Sequence, residues 1–177
     1  CILLAHGGDE KHVPFRQRAL AAAGFDYVAL GHIHKPQIWQ EDGIAYAGSL
    51  EPIDKNDLGS RGYIRGELSA EKRKIQFIAA ARREYLRVRL TLTPSSTEGA
   101  LCKKVQEVVG MYGKQNLYRL QLDGEYDPEA PLSLERLPSL GNIVEVTDDT
   151  VPHYDLELLA REHQNDIIGM YLQAFGN

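Results

Sequence analysis

Three histidines at the ends of apolar runs are the residues of this sequence best suited to chemistry. His32 and His34 stand in Gly31-His32-Ile33-His34. In an extended segment residues two apart project to one side, so both imidazoles can converge on one point. His6 closes another apolar run, Ile2-Leu3-Leu4-Ala5. Aligned neutral imidazoles are the beginning of a transition-metal site. Each residue also has a plainer use. His6 can be a hydrogen-bonded histidine at a strand end, and His32 and His34 can cap loop carbonyls. The three taken together favour ligands.

The elements that must position them follow from the apolar pattern. Residues 2–5 and 27–30 are short apolar runs of the kind that form buried strands. Between them a helix is expected over 13–23, preceded by Asp9 or His12, with Pro14 in its first turn and Gly24 after its end. Phe15, Ala19, Leu20 and Ala23 would form its apolar stripe. A connection of that length suits a helical crossover between parallel strands. Sites in such units gather beyond the carboxyl ends of the strands, where all three histidines lie. Residues 37–40 and 44–47 read as a hairpin turned by Glu41-Asp42-Gly43. Residues 53–61 form a polar loop, and 63–68 and 74–78 are two more strands. The mostly β first section, 1–80, ends near Ala80.

The pattern changes after Ala81. Leu86, Val88, Leu90 and Leu92 alternate with Tyr85, Arg87, Arg89 and Thr91, a strand with one buried face. Ser95 and Glu98 offer a capping box. The helix it opens would bury Leu101, Val105, Val108 and Tyr112 and stop at Gly113; Cys102 reads as core. Strands at 117–122 and 142–147, with a proline-bounded connection at 131–138, complete a β-α-β-α-β module over 81–150. A helical tail, 151–177, has apolar spacing at 154–163 and 166–175. The fold class expected is α/β and α+β.

The chain has 177 residues and a formal charge of −5, with a pI near 5.7. These values neither announce a nucleic-acid binder nor exclude one, because local patches decide that. Two cysteines, Cys1 and Cys102, suggest a reducing compartment. Without a signal peptide or a long apolar run the protein is expected to be cytoplasmic, with no membrane contact. The chain opens at Cys1 and is read as a piece of a longer protein.

Taken in order, Leu3-Leu4-Ala5-His6-Gly7, Leu30-Gly31-His32-Ile33-His34-Lys35-Pro36 and Tyr46-Ala47-Gly48-Ser49-Leu50 resemble the second half of a calcineurin-like metallophosphoesterase. The group most similar is the SbcD-type bacterial DNA repair exonucleases. The resemblance implies the carboxy-terminal half of a metallophosphoesterase β-sandwich, followed by a small capping domain. It implies that His6 and His32 bind one metal and His34 the other, in a pair of divalent ions, manganese, that activates water against a phosphodiester. The family's amino-terminal motifs have no counterpart, so no catalytic residue is assigned and the chain alone is expected to be inactive. Three histidines without those motifs could still hold one adventitious zinc or nickel, favoured over manganese at nitrogen ligands. Other readings are a phosphoesterase with a non-DNA substrate, and a docking module for a coiled-coil ATPase through the tail residues Leu156, Leu159, Ile167, Met170, Tyr171 and Phe175. A packed core helix is the plainer account of that tail. A homodimer is a further partner considered.

Lys72, Arg73, Lys74, Arg82, Arg83, Arg87 and Arg89 share a window whose single acid is Glu84. This is either a solvated face or a phosphate-contacting one, since arginine pairs bidentately with phosphate. Arg83, Arg87 and Arg89 are the DNA-backbone candidates, with Arg61 in its glycine-flanked loop as another. His12, His153 and His163 read as surface residues. Asp9, Asp54 and Asp57 receive no role. Ser49 lacks an identifiable base and is not proposed as a nucleophile.

Overall fold

The first two apolar runs do form neighbouring parallel strands. β1, Ile2–His6, pairs with β2, Tyr27–Gly31, and places His6 opposite Gly31. The computed structural model describes residues 1–8 and 10–175, with 172–175 in backbone alone. Asp9 and the Phe175 side chain therefore lie outside the described residues.

The hairpin of β3, Gln37–Trp39, and β4, Ile44–Tyr46, joins the same sheet in the order β1-β2-β4-β3. β4 runs parallel to β2 and antiparallel to β3. An interior strand is covered on both sides, and all three residues of β4 are buried. Val28, Leu30, Ile44 and Tyr46 form the core here, with Leu3, Phe15, Leu20 and Trp39 among the residues packed on it. Each such side chain contributes on the order of 2 kcal/mol by leaving water.

The crossover helix is shorter than its apolar stripe predicts. α1 spans only Gln17–Ala22 and buries no residue fully. Proline disfavours the helical region for the residue before it, and Val13 takes a positive φ of 44°. Pro14 and Phe15 therefore stay in the loop, and Phe15 reaches the core from there. A two-stranded antiparallel ladder follows, β5, Gly62–Leu68, with β6, Arg73–Ala79.

Contacts divide the chain into two compact units, Cys1–Arg87 with Gln115–Tyr118, and Val88–Lys114 with Arg119–Asn177. The division falls inside β7, Tyr85–Leu92. Leu90 and Leu92 are buried while Arg87, Arg89 and Thr91 are exposed, so the alternation is a true one-faced strand. α2, Glu98–Tyr112, buries Leu101, Cys102, Val105 and Val109, and Gly113 caps it by donating to the Val109 carbonyl. Tyr112 is 56% exposed, contrary to expectation. β8, Leu117–Tyr126, is the central strand, pairing with β7, with β9, Ile143–Asp148, and with β10, Val151–Pro152. The 131–138 connection supplies only one 3₁₀ turn, Leu137–Leu140, with Leu137 buried. The tail forms α3, Leu156–Glu162, and α4, Ile167–Phe175. Among the described residues no helix is long and apolar enough to cross a membrane.

The capping box is not formed as the sequence suggests. The residue that caps α2 is Thr97, whose hydroxyl accepts from the Ala100 N–H at 3.2 Å. Ser96 is engaged in a turn, accepting from the Thr93 N–H at 2.9 Å, and Ser95 lies against the Thr93 hydroxyl. The first hydroxyl left for the helix is therefore Thr97. Thr97→Ala should lower stability by about 1 kcal/mol, and Ser95→Ala by less than about 0.5 kcal/mol. Denaturation midpoints of the two variants decide this; equal losses would restore Ser95 as the cap.

Candidate functional site

His6 is the last residue of β1 and His32 follows the last residue of β2, so the parallel pairing brings the two rings together. Their centroids lie 5.3 Å apart, edge to face. Gly31 permits this approach, because a Cβ there would stand 2.9 Å from His6 Nδ1. His32 leaves the strand at a φ of 100°, a region that costs a non-glycine residue energy. A third imidazole joins them. The Gly8 N–H donates to the carbonyls of His12 and Val13, folding the loop back. His12 then lies 4.7 Å from the His32 ring. The sequence carried no signal for His12 beyond the Gly7-Gly8 pair that makes the turn.

His34 faces a carboxylate. Its Nδ1 lies 3.2 Å from Asp57 Oδ2. The same oxygen accepts the N–H groups of Ile53 and Asp54 at 3.0 and 3.1 Å. Asp57 Oδ1 faces the Arg61 guanidinium at 3.5 Å. Burial alone would raise the Asp57 carboxyl, but the Ile53 and Asp54 amides and the charges of His34 and Arg61 outweigh it and hold it below the usual carboxylate range. Asp57 thus has a structural place that its setting among loop aspartates concealed. The available signal was its i,i+4 spacing to Arg61.

Arg61 itself is only 3% exposed. Its guanidinium donates to the carbonyls of Leu58, Gly59 and Ser60. It is a loop-organising residue and not the surface cation its glycine-flanked setting suggested. Ser49 lies beside the same cluster, donating its N–H to the His34 carbonyl at 3.0 Å. Its own hydroxyl is buried and has no hydrogen-bond partner among the described residues.

The remaining candidates are dispersed. Arg83 and Arg87 are exposed, while Arg89 pairs with Asp123 at 3.3 Å. Arg73 is engaged with the backbone carbonyls of Asp26 and Glu41. His153 and His163 pair with Glu125 and Asp166 at 2.7 and 2.6 Å. Along the tail Leu156, Ile167, Met170 and Tyr171 are all at least 60% exposed, while Leu159 is half-buried.

The donor chemistry, neutral imidazole and carboxylate, suits a divalent transition metal. The number of ligands does not. Among the described residues no three histidine, cysteine, aspartate or glutamate side chains gather so as to hold one ion. His6, His32 and His34 are thus not presented together as the ligands of one ion. A three-histidine zinc site is therefore not what this fold presents.

No family model matches the chain. It is similar to the "Uncharacterized metallophosphoesterase YhaO" of Bacillus subtilis (strain 168), at 26% identity over 132 residues, which is 70% of this chain. The chain spans about a third, 32%, of that protein's length. The mixed α/β architecture is consistent with part of a metallophosphoesterase fold.

Proposed function

We propose that the chain is part of a metal-dependent phosphodiesterase that cleaves DNA, in the manner of a bacterial repair exonuclease. The observation that carries the reading is the pairing of His6 with His32 at the carboxyl ends of adjacent parallel strands, with His34 two residues on and bonded to Asp57. Among the described residues no three possible ligands gather on one ion, which fits a single-ion site poorly and favours a division of the histidines between two metals, manganese in the resembled family. No chemical step is assigned to these residues. Arg83 and Arg87 supply exposed positive charge for a phosphate backbone.

The test is duplex binding by the 177-residue chain across a salt series. Each arginine–phosphate contact contributes about 0.9 to the slope of log affinity against log salt. Arg83→Ala/Arg87→Ala should flatten that slope by roughly two contacts' worth, whereas Arg89→Ala, its charge already opposed by Asp123, should change it less. A slope unchanged in the double variant would return the arginines to a solvated face. With manganese added, the same preparation should show no turnover of labelled duplex. Chelator-sensitive turnover lost in His32→Ala would show that the ligand set is sufficient, and turnover of a small phosphodiester without DNA binding would favour a non-DNA substrate.

A further inference from the structure

The His34–Asp57–Arg61 chain has a direction. Asp57 does not need His34, because two backbone amides and a buried guanidinium already fix its carboxylate. His34 has a side chain 45% exposed and is held through the carboxylate at Nδ1. Dependence therefore runs from the loop to Asp57, and from Asp57 to the imidazole.

We propose that Asp57 is the positioning residue of His34, fixing the ring in its Nδ1–H form and leaving Nε2 as the one lone pair the ring can offer an electrophile. An ionised carboxylate can only accept, so the nitrogen facing it must carry the proton. A neutral imidazole has one such proton, and placing it on Nδ1 frees Nε2. A carboxylate on the far nitrogen orients the ring and raises the basicity of the free one. The proposal rests on reading His34 as a site histidine, but its geometry does not depend on the substrate.

The experiment is long-range proton–nitrogen correlation spectroscopy of the nitrogen-labelled chain. It is recorded near pH ~8.5, above the ordinary histidine range of about 6.5, and His34 is assigned by the signals missing in His34→Gln. The expected spectrum shows protonated Nδ1 and unprotonated Nε2 for His34. In Asp57→Ala the ring should pass to the Nε2–H form that free histidine favours. In Asp57→Asn the amide oxygen can still accept from Nδ1–H, so the wild-type form should return. A purely structural role for Asp57 would move none of these signals selectively. His34 in the Nε2–H form in the wild type overturns the proposal without any substitution being needed, as does an unaltered Nδ1–H form in folded Asp57→Ala. Loss of DNA binding would overturn the functional reading alone and leave this spectrum unaffected.

Discussion

Arg61→Ala should destabilise the first unit by roughly 3–5 kcal/mol, the cost of removing one partner from a buried ion pair. The side chains of Arg61 and Asp57 are 3% and 11% exposed, so water cannot readily replace the missing charge. The substitution also leaves the Leu58, Gly59 and Ser60 carbonyls without the donor they share. Arg61→Lys should recover only part of the loss, since a single ammonium cannot replace the planar fork. The sole tryptophan, Trp39, is a local probe because its ring lies 6.0 Å from that of Tyr46 in the core of this unit. Fluorescence-detected denaturation should show the full shift for Arg61→Ala and less than about 0.5 kcal/mol for the exposed Arg87→Ala. Equal small effects at both positions would mean that Arg61 does not organise the loop.

What the sequence disclosed and what it concealed divide along one physical line. Elements defined by periodic burial were legible. The parallel β1–β2 pair, the 37–46 hairpin and the alternation of Leu90 and Leu92 with Arg89 and Thr91 all follow from side chains seeking the core. Features set by competition among nearby polar groups were not. Thr97 caps α2 because Ser96 had already joined a turn, and Val13 leaves the helical region because Pro14 follows it. The histidines show both cases. The pairing of His6 with His32 comes from strand register, which spacing predicts. The bonding of His34 to Asp57, and the arrival of His12, come from loop hydrogen bonds that no periodicity encodes.

Gly8→Ala should cost on the order of 4 kcal/mol and break up the histidine cluster, because three penalties act together. Gly8 has a φ of 113°, where a side chain is strained whatever space surrounds it. A Cβ at this position would fall well inside van der Waals contact of the Tyr46 hydroxyl oxygen and 2.8 Å from the Phe15 ring. Tyr46 is 4% exposed and donates its hydroxyl to the Gly7 carbonyl at 2.8 Å, so it cannot swing away without abandoning a buried acceptor. The loop between Gly7 and Val13 would move instead, carrying His12 from His32. Tyr46→Phe removes the obstructing oxygen at a cost of about 1–3 kcal/mol for the unsatisfied carbonyl. In that background Gly8→Ala should cost clearly less than it does alone, a coupling that a double-mutant cycle isolates. Proton contacts between the His12 and His32 rings should vanish in Gly8→Ala and partly return in the double variant. Additivity within about 0.5 kcal/mol, with those contacts intact throughout, would show that the Gly8–Tyr46 approach does not hold the loop against the sheet.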